Sequence, residues 1–216
     1  MLVDSDIFII LAAAGVLETA ASLLEFEPED IRRLPALENQ LTRGRAFRKN
    51  YPRQIRQAAL RACRCIRPIE QRPSDPRTLD QLAAVSDIDL GEALLYALAA
   101  ERPAYILASG DKRAMRALAR DTRLKNIRDA LAGRLLCLEA AVAMLVRRGD
   151  ITALTKAFAP LCSVNAVLRV AFSRGAATTT KQCLQALRTY LEELESEVGS
   201  DLLLIPRGKG HGSKEN

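Results

Sequence analysis

The sequence is poor in histidine and in aromatic residues, and this scarcity narrows the classes of function. Of its 216 residues one is histidine, none is tryptophan, and only 4% are aromatic. The histidine, His211, lies in a glycine- and lysine-rich tail, so we do not expect catalysis by a Ser-His-Asp triad. Sequence-specific base stacking on aromatic side chains is likewise not indicated.

Cysteine is present, but its pattern does not suggest a disulfide or zinc framework. The five cysteines are an odd number at irregular spacing. Cys63 and Cys65 form a Cys-x-Cys pair, but no second pair follows at zinc-finger spacing. We therefore expect buried thiols that behave as small hydrophobic side chains.

Long hydrophobic runs are also missing from the sequence. None reaches the roughly 20 residues that a membrane-spanning helix needs. The apolar stretch at 7–16 is flanked by Asp4, Asp6 and Glu18 and follows no basic region, so it does not fit a signal peptide. From these features we expect a cytoplasmic location and no membrane partner.

Positive charge is concentrated in one part of the chain. The net charge is +6, and residues 30–77 hold 13 Lys or Arg against 4 Asp or Glu, a local excess of +9. Helical spacing places Arg45, Lys49, Arg53 and Arg56 largely on one face if Pro52 only kinks or restarts the helix. An arginine-rich face predicts contact with a nucleic-acid backbone, and the alternative interpretation is a solvated helix face.

Short apolar runs alternate with helical patterns along the chain. The apolar runs predict strands at 2–3, 31–34, 104–108 and 134–138. The helical patterns predict helices at 6–24, 36–48, 52–66, 78–85, 91–101, 112–120, 124–131, 139–148, 152–158, 164–172 and 181–198. This alternation predicts an α/β fold, a helix-rich three-layer α/β/α sandwich with a short parallel sheet.

The same pattern suggests how the chain is organised. Residues 1–150 are predicted to form the main domain, which includes the arginine-rich helical segment at about 43–77. Residues 151–198 are predicted to be a helical C-terminal extension. Residues 199–216 are expected to form a disordered tail, apart from the short apolar run at 202–205.

Carboxylates stand where the short apolar runs end. Asp4 closes Met1-Leu2-Val3, Asp111 closes the run at 104–110, and Glu92 lies at the start of an apolar helical stretch. In α/β folds the carboxyl ends of parallel strands meet at one edge, where ligand sites are built. Converging carboxylates repel one another unless a divalent cation neutralises them, and Mg²⁺ and Mn²⁺ prefer oxygen ligands. The competing interpretation is structural: each acid either caps a helix or lies in a first turn, where the helix dipole favours a negative charge.

Three segments that contain these acids resemble blocks of the PIN-domain family, which comprises Mg²⁺- or Mn²⁺-dependent nucleases and includes many bacterial toxins. The segments are MLVDSDIFIIL at 1–11, DLGEALLYALA at 89–99 and YILASGDKRA at 105–114. They resemble the family's first strand and acid, the helix opening with a central acid, and the strand and turn with the last acid. The resemblance spans about residues 1–150.

The resemblance implies a metal-dependent nuclease that hydrolyses phosphodiester bonds without a protein nucleophile, with RNA favoured over DNA as substrate. It implies that Asp4, Glu92 and Asp111 bind Mg²⁺ or Mn²⁺. Glu38 is the best match to the family's early acid and completes the implied catalytic set; its competitors are Glu27 and Glu29. Asp6 and Asp89 are expected either to support the site or to cap helices.

The chain departs from the family pattern in two ways. Its arginine-rich segment at 43–77 is longer than in a minimal domain, and the helices at 151–198 are additional. Both departures weaken the case for a toxin with an antitoxin-like protein partner, which the sequence does not indicate. A homodimer remains open.

Two other classes of function compete with the nuclease. One is a non-catalytic module that binds nucleic acid or protein on a PIN-like fold, which the basic segment and the added helices also suit. The other is a haloacid-dehalogenase-type phosphatase, because Val3-Asp4-Ser5-Asp6 resembles a strand-end Asp-x-Asp motif. That family has Thr or Val where this chain has Phe8, and its downstream lysine and acidic pair find no match.

Overall fold

The computed structural model describes residues 1–205, and within them a four-stranded parallel sheet forms the centre of a helix-rich α/β fold. The strands are β1 Leu2–Val3, β2 Arg32–Arg33, β3 Leu107–Ser109 and β4 Leu135–Cys137, in the order β2-β1-β3-β4. Leu2 pairs with both Arg32 and Leu107, and Leu107 pairs with Leu135. All four predicted strands are present, and β3 continues to Ser109.

An isolated parallel bridge extends the sheet at each of its two edges. Arg33 pairs with Pro68 beside β2, and Leu135 pairs with Leu203 beside β4. Leu202 and Leu203 are buried, and the Leu204 amide donates to the Leu135 carbonyl at 2.7 Å. Residues 199–205 therefore belong to the described fold: the apolar run at 202–205 was excepted from the predicted disorder, and residues 199–201, which were not excepted, are ordered as well. The rest of the predicted tail, with His211, lies outside the described residues.

Thirteen α-helices occur between residues 1 and 205. Those before β3 are α1 Ser5–Ala13, α2 Leu17–Ser22, α3 Leu37–Arg43, α4 Arg45–Asn50, α5 Arg53–Cys65, α6 Pro76–Ala83 and α7 Leu90–Glu101. The later ones are α8 Lys112–Arg120, α9 Lys125–Ala130, α10 Leu138–Arg148, α11 Ile151–Phe158, α12 Ala166–Ala171 and α13 Thr180–Val198. No helix in this part of the chain is long and apolar enough to cross a bilayer.

Two predicted helices are each divided in two at a glycine. The helix predicted at 6–24 breaks into α1 and α2 at Gly15, whose φ of +70° is left-handed and unfavourable for other residues. The helix predicted at 36–48 breaks into α3 and α4 at Gly44. A Cβ at Gly44 would lie 2.5 Å from the Gln40 carbonyl oxygen, so this tight junction requires glycine.

The core lies around the sheet and extends into the C-terminal helices. α1 is apolar almost all round, with Ile7, Phe8 and Leu11 fully buried, because it lies between the sheet and α5. α10 is similarly buried and packs along α13, and α13 also contacts α8. The C-terminal helices are thus packed directly on the helices that follow β3 and β4.

Candidate functional site

Two of the predicted acids lie at the carboxyl edge of the two central strands. Asp4 directly follows β1, is 7% exposed, and caps α1 by accepting from the Ser5 amide at 2.6 Å. Asp111 follows β3 and caps α8 by accepting from the Arg113 and Ala114 amides at 2.7 and 3.2 Å. The same residues therefore act as helix caps and lie at the edge where α/β folds bind ligands.

Glu92 reaches this edge from the first turn of α7. It forms a capping box with Asp89, in which each carboxylate accepts from the other residue's amide at 2.8 Å. This double contact holds the Glu92 side chain against the helix start, where it is only 8% exposed. The sequence DLGE thus fixes a buried carboxylate without any long-range partner.

Asp4 and Glu92 are two buried carboxyls on which Asp89 and Asp111 both act electrostatically. The pKa of Asp4 is raised to about 7, mainly by burial and also by the charges of Asp6, Asp89 and Asp111, and the hydrogen bond from the Ser5 amide lowers it only in part. The pKa of Glu92 is raised to about 8, mainly by burial and also by the charges of Asp111, Asp89 and Asp4, while the hydrogen bond from the Asp89 amide acts to lower it. We call these five acids the acidic cluster. The sequence predicted three of its members as ligands and the other two as supports or caps.

Asp6 and Asp111 differ in how their charge is accommodated. Burial raises the pKa of Asp6, and its hydrogen bond from Tyr51 lowers it only in part. Burial also acts to raise the pKa of Asp111, but the bonds from the Arg113 side chain and from the Ala114 and Arg113 amides outweigh it, so this pKa lies below its ordinary value. Asp111 is therefore the member with a cationic partner in direct contact.

Glu38 is not brought together with the other predicted ligands. It lies on α3 with 44% of its side chain exposed, 3.8 Å from the Arg33 guanidinium and 3.4 Å from that of Arg64. The α3 side chain that reaches the Asp4 end of the sheet is Gln40, whose Oε1 accepts from the Ser5 hydroxyl at 3.4 Å. Two arginines thus hold Glu38 toward α5, and its catalytic role remains a prediction.

The carboxylates offer suitable donors for a hard cation, but their present bonds are to the protein. In residues 1–205 no group of three or more His, Cys, Asp or Glu side chains is arranged to hold a metal ion. The cap bonds engage Oδ1 of Asp4 and Oε2 of Glu92, while Asp111 uses both oxygens. One oxygen each of Asp4 and Glu92 therefore remains for another ligand, and all-oxygen donors suit Mg²⁺ or Mn²⁺.

Tyr51 links the arginine-rich segment to the acidic cluster. Its hydroxyl donates to Asp6 Oδ1 at 3.1 Å across 45 residues of sequence. Tyr51 lies between α4 and α5, so α4 ends and α5 begins beside Asp6. The sequence did not predict this contact, because nothing in the residues around Tyr51 or Asp6 indicates that the two side chains meet. The one hint was an aromatic residue within a basic run.

The four predicted nucleic-acid contacts do not all have the same environment. Arg45, Lys49 and Arg53 are exposed, whereas Arg56 is half-buried. The Arg56 guanidinium donates to the Tyr51 carbonyl at 3.1 Å and to the Leu41 carbonyl at 3.4 Å. Arg56 thus supports the junction of α3, α4 and α5. The other three are exposed on two different helices: α4 ends at Asn50 and α5 begins at Arg53, so the continuous helix on which the spacing was counted is interrupted. We call Arg45, Lys49 and Arg53 the exposed basic face.

A second buried carboxylate lies at the end of β4. Glu139, in the first turn of α10, is 1% exposed, and its Oε1 lies 2.5 Å from Lys112 Nζ. The Lys112 ammonium also lies 5.4 Å from the centre of the Tyr190 ring on α13. We call Lys112 and Glu139 the buried ion pair. Lys112 directly follows Asp111 in the chain, so the start of α8 supplies one residue to the acidic cluster and one to the buried ion pair.

Comparison with known proteins adds no relative to this description: no family model, no curated protein and no solved structure matches the chain.

Proposed function

We propose that this protein is a metal-dependent nuclease that hydrolyses phosphodiester bonds, with RNA favoured over DNA, on a PIN-like three-layer α/β/α sandwich. The observation that carries the proposal is the environment of Asp4 and Glu92. Both carboxylates are buried at the carboxyl edge of a parallel sheet, and the charged groups that act on them most are other acids. RNA as the substrate rests on the family resemblance alone.

A divalent cation is the natural complement of this cluster. Burying carboxylates without a counter-charge is unfavourable, and here the penalty appears as the raised pKa values of Asp4 and Glu92. Asp4, Glu92 and Asp111 would hold the ion. A bound Mg²⁺ or Mn²⁺ supplies Lewis-acid chemistry and lowers the pKa of coordinated water.

The chain's own residues provide the remaining requirements of a nuclease site. Asp89 fixes Glu92 through the capping box, and Tyr51 fixes Asp6 through its hydroxyl. The exposed guanidinium of Arg113, 3.1 Å from Asp111 Oδ2, is a ready contact for a substrate phosphate because arginine forks onto phosphate oxygens. The exposed basic face, which begins beside Asp6, offsets the repulsion between the acidic cluster and a polyanion.

One observation favours a second candidate, a non-catalytic nucleic-acid-binding module. Arg113 already engages Asp111 through its backbone amide and its guanidinium, so an internal cation occupies part of the cluster. In that case the basic face would bind nucleic acid while the acids serve as helix caps. The two candidates agree on nucleic-acid binding and differ in metal-dependent cleavage.

Cleavage of end-labelled single-stranded RNA with Mg²⁺ or Mn²⁺ tests the proposal. We expect EDTA to abolish cleavage and Asp111→Asn to reduce it by about 100-fold or more, because a ligand charge is lost with little change in volume. Asp121→Asn is the matched control, since Asp121 also caps a helical turn and bonds the arginine two residues on, Arg123, but lies outside the cluster. Full activity of Asp111→Asn, or metal-independent binding without cleavage, would contradict the nuclease and favour the second candidate.

A further inference from the structure

A groove in the C-terminal helical part lies apart from the acidic cluster. It has a volume of about 310 Å³ and opens between α12, the turn at 173–178 and α13. Val170, which is 46% exposed, contributes apolar surface to it. The polar residues that line it within the described chain carry hydroxyls, side-chain amides and one guanidinium, that of Arg174, and no carboxylate. We call this the C-terminal groove, and its size suits one small molecule.

Two residues that line the C-terminal groove carry unpaired polar atoms. Thr178 is 8% exposed, and neither its hydroxyl nor the side-chain oxygen of Gln182 has a hydrogen-bond partner within residues 1–205. Their backbone amides are paired: that of Thr178 donates to the Gly175 carbonyl at 2.9 Å, and that of Gln182 donates to the Thr179 hydroxyl at 3.3 Å. Buried polar groups are nearly always paired, because an unpaired one forfeits its bonds to water. The two side chains therefore call for a polar ligand.

The charge around the C-terminal groove has only one sign. Residues 151–190 contain five Lys or Arg and no Asp or Glu. Three of these cations, Arg169, Arg174 and Lys181, are exposed and form no ion pair within the described part of the chain. Arg174 lines the groove, and each of the other two is next in the chain to a lining residue. A phosphate group is the natural complement, because a guanidinium forks onto phosphate oxygens.

The remaining lining indicates what carries the phosphate. None of the described residues that line the C-terminal groove is aromatic, so the groove offers no platform on which a nucleobase stacks. The hydroxyl of Thr189 and the amides of Gln182 and Gln185 instead match ligand hydroxyls, because both kinds of group donate and accept hydrogen bonds. Gln182 is half-buried, so rotation of its amide presents either the oxygen or the nitrogen to a ligand. This chemistry favours a polyol over a nucleoside.

We propose that the C-terminal groove binds a small phosphorylated polyol, such as a sugar phosphate. Arg174 holds the phosphate, the ligand hydroxyls bond to Thr178 and Gln182, and the carbon skeleton contacts Val170. The site requires no metal ion and is separate from the acidic cluster. It therefore stands independently of the nuclease activity proposed above.

Calorimetric titration in EDTA with glycerol phosphate, ribose phosphate and glucose phosphate tests the proposal. We expect binding of at least one of them, and binding weaker by about 10-fold or more for its unphosphorylated polyol and for inorganic phosphate. Arg174→Gln, a change at an exposed side chain, should weaken binding by about 10-fold, because a charge-assisted hydrogen bond is lost. Thr178→Val should weaken it by about 3- to 10-fold without lowering the melting temperature of the ligand-free protein, because the hydroxyl that it removes is unpaired.

Two matched variants separate the C-terminal groove from general effects. Thr155→Val removes another buried hydroxyl that has no partner within residues 1–205, but Thr155 lies on α11 and does not line the groove. Lys156→Gln removes an exposed cation of the same acid-free segment, which does not line the groove either. Both variants should bind the phosphorylated polyol as tightly as the parent does.

The proposal is overturned if none of the three phosphorylated polyols binds, or if Arg174→Gln or Thr178→Val binds them as tightly as the parent does. Tighter binding of adenosine monophosphate than of ribose phosphate would assign the groove to a nucleotide and also contradict the proposal. So would displacement of the polyol by single-stranded RNA, because the groove would then belong to an RNA-binding surface. None of these measurements involves a metal ion or cleavage, so failure here leaves the proposed nuclease untouched.

Discussion

Two buried glutamates at the same edge of the sheet differ in how their charge is compensated. Glu139 is 1% exposed and lies against Lys112, whereas Glu92 is 8% exposed and lies among Asp4, Asp89 and Asp111. Both begin a helix that is mostly apolar. Burial alone therefore does not distinguish the proposed metal ligand from a carboxylate that pairs with a lysine. What distinguishes Glu92 is that the chain surrounds it with charge of its own sign.

The two regions meet in consecutive residues. Asp111 turns into the acidic cluster, and Lys112 turns to Glu139 in the buried ion pair. The buried ion pair ties α8 to α10, while Arg116 on α8 also bonds Glu197 on α13. We infer that the compensated region anchors the helix start from which Asp111 projects. The two regions should consequently respond in opposite directions to loss of charge.

The largest effect is expected in the compensated region. Lys112→Met leaves Glu139 buried without its partner, and breaking a buried pair in this way costs about 3–5 kcal/mol of unfolding free energy. The double variant Lys112→Met with Glu139→Gln should recover most of this loss. Urea denaturation at pH 7.5 measures all three proteins.

Lys125→Met is the matched control for this prediction. Lys125 pairs with Asp129 on the surface of α9, where both side chains are at least half exposed. Its loss should change the unfolding free energy by less than about 1 kcal/mol. If Lys112→Met has an equally small effect, then the Lys112 charge does not stabilise buried Glu139, and Glu139 and Glu92 do not differ in the way described above.

In the acidic cluster, loss of a charge should stabilise the metal-free protein. The pKa of Asp4 rises from 3.8 to about 7 on folding, so the folded state binds this proton more tightly than the unfolded state. That contribution is complete below about pH 4 and is lost as the pH rises through about 7. At pH 8 and without metal, Asp4→Asn should therefore be more stable than the parent by up to about 4 kcal/mol, and its stability should vary less with pH.

Asp150→Asn controls for the capping role of Asp4. Asp150 caps α11 by accepting from the Thr152 amide at 2.9 Å, but it is exposed and outside the cluster. Asparagine caps helices about as well as aspartate, so this variant should follow the parent at every pH. Thermal melts from pH 5 to pH 8 in EDTA give the comparison. If the melting temperatures of Asp4→Asn and the parent change with pH in the same way, repulsion within the acidic cluster does not destabilise the metal-free protein.

The smallest effect concerns the exposed basic face. Replacing Arg45, Lys49 and Arg53 by glutamine should weaken binding of single-stranded RNA on the order of 10-fold. The slope of log affinity against log salt should flatten by about 0.7 for each phosphate that the variant no longer neutralises. Folding stability should change little, because these side chains are solvated. Fluorescence anisotropy across a salt series measures both quantities.

A matched triple variant removes the same charge elsewhere. Arg169, Arg174 and Lys181 are exposed cations of the C-terminal helical part. If their replacement by glutamine weakens RNA binding as much as the first set does, attraction depends on net charge and the exposed basic face has no special role. Arg56 is left out of both sets because its guanidinium supports the Tyr51 and Leu41 carbonyls.

Local signals in the sequence predict much of this fold. Asp4 and Asp111 follow buried apolar runs and cap the next helix, and the DLGE capping box fixes Glu92 within four residues. Such features depend on neighbours in the chain, so they can be predicted without a structure. The helix breaks at Gly15 and Gly44 were missed because one glycine inside a helical pattern is often tolerated.

The features that the sequence could not reveal all depend on distant contacts. Glu38 was selected for its position after the second strand, but its direction is set by Arg33 and Arg64 from β2 and α5. The Tyr51–Asp6 bond spans 45 residues. The unpaired hydroxyl of Thr178 is visible only once the side chains around it are in place. Which acids converge is therefore a property of tertiary packing.

Proton release on Mn²⁺ binding tests the central claim most directly, because the acidic cluster must lose its protons to accept a cation. With pKa values of about 7 for Asp4 and about 8 for Glu92, both carboxyls are partly protonated at pH 7. Calorimetric titration at pH 7 in two buffers of different ionisation enthalpy should show release of roughly one to two protons per ion, falling in Asp4→Asn. Absence of Mn²⁺ binding, or binding that releases no proton and is unchanged in Asp4→Asn, would contradict the account.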